Sequence, residues 1–376
     1  MHAPRIEDDP ELLAMFIKDM GVQSDLWKPT AYWTSQCKRM QAQLERTGLS
    51  GFRTNWSLMR GVDLGPKQAG VVRRPIFDNR IAAALARRLP IFGRYERHID
   101  SLVESFNSTN TANISREVSL LYQLLQFGEC SSALAAQVED SCIGNPNVYE
   151  FDGKKYSSNM LVHICLVSLL FRSAGDQINR VMEIGGGYGV LAEIMQKRRF
   201  GTNGYFVEVD IPPLVYVSTQ YLKAVFPGRV VDYREARSKA TLSRSDIEGK
   251  ILVIPPCLVP ALDLEFDLFW NSASFQEMEG EVVDNYLEYV SRTSSTVFIN
   301  TLTHGHRKGL GGQREPIAFD QLARKICAKG YQQRQLVDDC AEMAAFRSVL
   351  PRHSIGVFAR QAQQQREMSD GDHGGR

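Results

Sequence analysis

The stretch NRVMEIGGGYGVLAEIMQK, residues 179–197, narrows the fold more than any other part of the chain. An apolar run ending at Ile184 reads as a buried strand, and Val190, Leu191, Ile194 and Met195 recur after it at helix spacing. A tight turn must join the two, and Gly185, Gly186, Gly187 and Gly189 are free of the steric bar on positive φ. Strand, glycine turn and helix make the first unit of a βα repeat. At such a turn backbone N–H groups approach a ligand directly, beside the positive end of the helix dipole.

The pattern then repeats. Short β-branched runs at 179–184, 204–209, 251–254, 267–271 and 296–301 alternate with amphipathic helices, and a pair near 331–337 and 354–360 completes the sheet, its final strand a candidate for antiparallel pairing. The expected fold class is α/β, a doubly wound, mostly parallel seven-stranded sheet. Upstream, ELLAMFIKDM, NRIAAALARRLPIF and EVSLLYQLLQF carry helix spacing. Residues 1–155 are therefore read as a helical region that roofs a cleft or pairs two subunits in a homodimer, and 156–361 as the ligand-binding domain. Residues 362–376 are polar, with too few apolar side chains to offset the entropy of ordering them.

Composition excludes several function classes. The 44 basic residues nearly cancel the 43 acidic ones, so the overall field that draws nucleic acid or an anionic membrane is missing. Cys37, Cys130, Cys142, Cys165, Cys257, Cys327 and Cys340 form no Cys-x-x-Cys pair, which suggests neither a zinc site nor a disulfide framework and fits a reducing, cytoplasmic setting. The opening MHAPRIEDDPELL does not resemble a secretory signal. The apolar run 160–171, MLVHICLVSLLF, is shorter than the roughly 20 residues of a membrane span and reads as a buried helix, with His163 a hydrogen-bonded core histidine.

The turn discriminates between cofactors. Its glycines are spaced G-x-G-x-G from Gly185, with Glu183 two residues ahead, whereas dinucleotide binders favour G-x-G-x-x-G. The first spacing suits S-adenosylmethionine, which has no phosphate but carries a carboxylate and an ammonium group. A ribose in either cofactor class needs an acid at the end of the next strand, and Asp210 follows Gly189 by 21 residues, close to the ~20 expected. Glu208 points to the same face and can substitute.

VMEIGGGYGVLAEIM, YFVEVDIPPLVYVSTQYL and FDLFWNSASFQEM together resemble a bacterial family of sugar O-methyltransferases, over roughly residues 140–300, with IGNP at 143–146 part of the likeness. The resemblance implies a methyltransferase fold of the Rossmann-like class and S-adenosylmethionine as cofactor. It further implies that Glu183, Gly185, Gly187 and Gly189 hold the methionine part and Asp210 the ribose. Gly186 and Tyr188 in the turn, Ile211 beside Asp210, and Asn271 and Ser272 at the fourth strand end complete the expected cofactor contacts. The acceptor implied is a sugar, a nucleotide-sugar or a glycoside.

Transfer to a hydroxyl needs the nucleophile held in line near the methyl carbon and a general base within hydrogen-bond reach. Glu277, after the fourth strand, is the first candidate. Ser274 and Glu277 also have the spacing of a capping box, which would make the carboxylate structural. His304 and His306, after the fifth strand, can take a proton near neutral pH, can contribute to a metal site with a carboxylate, or can be plain loop residues; no metal is assigned. Trp27, Tyr32 and Trp33 can stack on a sugar ring or pack in the core. Arg73, Arg74, Arg80, Arg87, Arg88, Arg94 and Arg97 can clamp a diphosphate or form a solvated helix face. Two rivals stand beside the methyltransferase: an NAD(P)-dependent oxidoreductase, and a binding protein that keeps the fold without catalysis.

Overall fold

The computed structural model describes residues 6–21, 23–59, 114–198, 204–306 and 314–360. The predicted helical run at 79–92, the seven arginines from Arg73 to Arg97 and the tail lie outside the described residues.

The amino-terminal part holds helices α1 (Pro10–Gly21), α2 (Ala31–Thr47), α3 (114–127) and α4 (Glu129–Gln137), then a hairpin of β1 (Val148–Phe151) and β2 (Lys154–Ser157). Next come α5 (Ser158–Ala174), β3 (Arg180–Ile184), α6 (Val190–Lys197), β4 (Tyr205–Val209), α7 (Leu214–Val225) and β5 (Ile251–Ile254). The chain continues through β6 (Phe266–Ser272), α8 (Gly280–Thr293), β7 (Ser294–Leu302), α9 (Phe319–Ala328), β8 (Tyr331–Gln333), α10 (Ala341–Val349) and β9 (His353–Arg360).

Seven strands form one sheet in the order β8-β9-β7-β6-β3-β4-β5. Every pairing from β7 to β5 is parallel, and β9 alone runs against both neighbours. The doubly wound α/β expectation is met, and so is the antiparallel final strand. Helices cover both faces, so β4 and even the edge strand β5 show no exposed or half-exposed position. The order reverses beside β3, and the carboxyl ends of β3, β4 and β6 open there into one crevice, where sheets of this kind place their ligands.

Helix α5 accounts for the longest apolar run. Capped by Ser157, whose hydroxyl accepts from the Met160 N–H, it is enclosed by α4, α6, α10 and β9. Burial on all sides replaces the usual amphipathic stripe. Among the described residues no helix is long and apolar enough to cross a membrane. The hairpin at 148–157 was not expected; its strands are only four residues each, and while β1 alternates exposed and half-buried positions, β2 ends on two buried ones, so no period stands out.

The amino-terminal helices share one continuous core with the α/β part. Arg53, in a buried ion pair of the amino-terminal part, ties the two through Tyr188. Arg53 donates to both carboxylate oxygens of Asp140 at 2.7 and 2.6 Å, and also to the Ser157 and Tyr188 hydroxyls at 2.9 and 3.2 Å. Its guanidinium lies 4.8 Å from the Tyr188 ring centre.

Candidate functional site

The turn after β3 takes the backbone through φ of +80° at Gly185, +68° at Gly187 and +94° at Gly189. Side chains of the protein itself explain two of the glycines. A Cβ on Gly185 would sit 2.3 Å from the Ser274 side chain, and one on Gly186 would sit 2.4 Å from Glu208 Cγ. Three turn N–H groups are already engaged: Gly185 with the Val209 carbonyl at 2.8 Å, Gly187 with Asp210 Oδ2 at 2.7 Å and Gly189 with the Gly186 carbonyl at 3.1 Å.

The turn forms one wall of a cavity of about 310 Å³. Glu183, Gly185, Gly186, Gly187, Tyr188, Asp210, Ile211 and Ser272 all line it, so eight of the ten expected cofactor residues converge on one space. Gly189 and Asn271 do not line it. Gly189 starts α6, and Asn271 is fully buried, donating to the Ile184 carbonyl at 2.9 Å and accepting from the Phe275 N–H at 3.0 Å. Asn271 therefore braces two strand ends. Tyr188 has a committed side chain, its hydroxyl accepting from Arg53 and from Asn159 Nδ2 at 3.1 Å.

Three carboxyl groups crowd beneath the turn. Glu183 and Glu208 are register partners across β3 and β4, and Asp210 follows at the strand end. Burial first, then Glu208 and Asp210, holds Glu183 well above the usual carboxylate range. Burial raises Glu208 to about 8 and Asp210 to about 7, the latter against the lowering effect of its two backbone donors, Gly187 and Ile211. Glu183 Oε2 is buried with no hydrogen-bond partner.

The opposite wall is drawn from distant segments. Thr30 caps α2, and Trp27, Lys28 and Trp33 around it line the cavity with Met278, Glu279 and Tyr286. Glu277 lies in this wall as well. The capping-box alternative for it is not realised: Ser274 makes no side-chain cap bond, and Glu277 Oε2 instead accepts from Trp33 Nε1 at 2.7 Å. Its other oxygen, Oε1, is 3.4 Å from His306 Nε2. His306 thus stands behind Glu277, outside the cavity lining, and His304 is exposed and apart from it. Of the aromatic trio, Trp27 and Trp33 line the cavity and Tyr32 does not, its ring packing edge-on to Trp33 at 5.8 Å.

His163 matches the core reading in part. Its Nδ1 donates to the Asn159 carbonyl at 2.9 Å, and burial depresses it to about 4, so the ring is neutral at neutral pH; it also contributes to the cavity wall. Sequence reasoning missed Asn300 and His353. Asn300 Nδ2 donates to the Ser272 hydroxyl at 2.8 Å, and Asn300 Oδ1 accepts from His353 Nδ1 at 3.1 Å, which fixes Ser272 in the wall. Both come from strands that reach the site only through sheet pairing.

No protein-family model matches the chain, and no curated protein sequence matches it. Among solved structures the chain is similar to the pyocyanin biosynthetic protein PhzM, at 11% identity with a TM-score of 0.36 over 54% of this chain and 55% of that one. It is similar to magnesium protoporphyrin IX methyltransferase ChlM from Synechocystis PCC 6803 with bound SAM, at 8% identity and a TM-score of 0.33, covering 53% of this chain and 78% of that one. It is similar also to the [4+2]-cyclase SpnF, at 14% identity and a TM-score of 0.36, covering 64% and 93%. The chain spans about half the length of PhzM, and likenesses at this level transfer neither reaction nor ligand.

Proposed function

We propose that the protein is an S-adenosylmethionine-dependent O-methyltransferase acting on a hydroxyl of a sugar or glycosylated natural product. The observation that carries this reading is the glycine turn closing on a cavity whose wall holds a buried, unpartnered Glu183 carboxyl next to Asp210. A cationic ligand suits that wall. A pyrophosphate does not: three turn N–H groups are already engaged, and three carboxyl groups lie against the place where its charge would fall. This favours the methyl donor over NAD(P), the chief rival.

When bound, S-adenosylmethionine supplies an electrophilic methyl group on a sulfonium. Glu183 and the turn would hold its amino-acid end and Asp210 its ribose, with Ile211 alongside. The chain's own part is then to place a hydroxyl and take its proton. Trp27, Trp33 and Tyr286 offer aromatic faces against which a sugar ring packs, and Glu277 and Glu279 offer acceptors for its hydroxyls. Glu277 removes the proton as the bond forms, while the Trp33 indole N–H holds its other oxygen. The amino-terminal region, 1–155, serves as the acceptor lid over the cofactor-binding part.

Isothermal titration with S-adenosylmethionine and with NAD+ separates the two cofactor classes; binding of NAD+ alone would overturn the reading. Incubation with methyl-labelled donor and a panel of glycosides and nucleotide-sugars tests transfer. Label that stays on a bound donor across the whole panel would favour the binding-protein alternative.

A further inference from the structure

The carboxyl cluster beneath the turn has a chemical consequence beyond cofactor placement. Glu183 is 3% exposed and Glu208 fully buried. Glu183 Oε2 has no hydrogen-bond partner, the Ser218 hydroxyl beside Glu208 lowers that carboxyl only in part against burial, and no described basic side chain is among the groups acting on Glu183, Glu208 or Asp210. Glu208 stands one layer behind the cavity: Gly186 lies between, so close that a Cβ there would touch the Glu208 carboxyl at 2.5 Å. Three like charges in such a place repel one another and lack water, so the empty cluster retains protons near neutral pH.

We propose that Glu183 and Glu208 make the site selective for ligand charge, giving up a proton when a cationic ligand enters and recovering it when the charge leaves. The proposal rests on the reading of this cavity as an S-adenosylmethionine site. The methyl donor carries a sulfonium charge, and its demethylated product carries a neutral thioether at the same position. Both ligands bring the amino-acid ammonium, but only the donor adds the sulfonium, so ionised carboxylates are compensated more fully by the first than by the second. Donor binding therefore expels more proton to solvent than product binding does, and the spent cofactor's hold weakens once the methyl group has moved.

Cys37, Tyr286 and His163, which also face the cluster, do not titrate in this range. Burial, with Asp210 adding, pushes the Cys37 thiol up to about 12, and burial raises the Tyr286 phenol, so both stay neutral. His163 is held down at about 4 by burial. Ser218 lies beside Glu208 and does not ionise. Glu277 acts on Asp210 from the opposite wall and raises it further. The sign follows: carboxyl groups with raised values hold their proton as pH falls, so donor affinity drops on acidification, by up to about tenfold per pH unit for one linked proton.

Calorimetric titration of the full chain with S-adenosylmethionine and with S-adenosylhomocysteine, from about pH 6 to pH 8.5 in buffers of different ionisation enthalpy, reads both affinity and protons exchanged. The expected result is a proton release larger for the donor than for the product, by up to about one proton, with the donor-to-product affinity ratio rising with pH. Glu208→Gln, which removes one carboxyl group at constant volume, should cut the proton release and flatten that ratio; Glu183→Gln gives a second reading should the first fold poorly. Equal pH slopes for the two ligands, or an unchanged proton count in a folded Gln variant, would overturn the proposal. Donor binding without proton release sinks the charge coupling alone. Failure of both ligands to bind at any pH sinks the proposed function with it.

Discussion

The two walls of the cavity are assembled in opposite ways. The turn wall comes from two neighbouring strand ends, Glu183 to Tyr188 and Asp210 with Ile211, and its shape follows from backbone geometry: positive φ, close approach to Ser274 and Glu208, and N–H groups tied to Val209 and Asp210. The facing wall joins Trp27 and Trp33 to Glu277, Met278 and Tyr286, and its shape depends on how an amino-terminal helix docks on the sheet. The first kind of wall cannot change without disturbing the fold. The second can vary side chain by side chain, which lets one fold serve different ligands.

If that contrast holds, substitutions in the facing wall alter rate and leave cofactor affinity alone. Glu277→Gln is the strongest case: loss of a general base should slow methyl transfer by about 10²- to 10⁴-fold with the donor Kd unchanged. Single-turnover transfer of labelled methyl, with calorimetry for the donor, reads both. A full-rate variant would remove Glu277 from the role, and a large change in Kd would show that the walls are not independent.

The tie between the regions is next in size. Arg53→Met leaves Asp140 buried without its partner, and denaturant unfolding should show a loss of about 3–5 kcal/mol. The Arg53 guanidinium holds the Asp140 carboxyl below the usual carboxylate range against the effect of burial. A carboxylate depressed in the folded state contributes stability above its unfolded value and loses it as pH falls through the folded one. The difference between variant and parent should therefore shrink in acid. A constant difference down to about pH 2 would mean that the pair is not what Arg53 stabilises.

This contrast also explains what was legible in the sequence. The strands, the turn and the acid at 210 were legible because each is set by local pattern, a run of apolar residues or a fixed spacing. Convergence of eight expected cofactor residues follows from two βα units in register. What holds the Tyr188 and Asn271 side chains was not legible, for the converse reason. Their partners, Arg53, Asn159 and Ile184, are close in space but distant along the chain, so no spacing announces that these side chains brace the structure. The bond from Trp33 to Glu277 spans 244 positions, and it occupies the carboxylate that the spacing alone would have allowed as a helix cap.

In the turn wall, affinity and stability should fall together. Asp210→Ala leaves the Gly187 and Ile211 N–H groups without their acceptor, at about 1–3 kcal/mol for each that stays buried. The donor also loses the group expected to take its ribose hydroxyls. Asp210→Asn, which keeps one acceptor oxygen, should recover part of both. Weakened donor binding in the Ala variant with no loss of stability would mean that the carboxylate serves the ligand alone.

Trp33→Phe is the smallest change and the sharpest test of the contrast, because it keeps an aromatic face in the wall and deletes only the donor to Glu277 Oε2. A hydrogen bond to a charged group is worth about 1.5–3 kcal/mol net, and a base freed to rotate loses alignment more than basicity. The rate of transfer should fall about tenfold, from the low end of that range because water can replace the indole N–H at a partly exposed carboxylate. Donor affinity should not move, and acceptor KM should move little since the ring surface remains. A drop in donor affinity would place Trp33 in the cofactor wall. An unchanged rate would mean that Glu277 is held from elsewhere, with His306 Nε2, 3.4 Å from Oε1, the first group to substitute next.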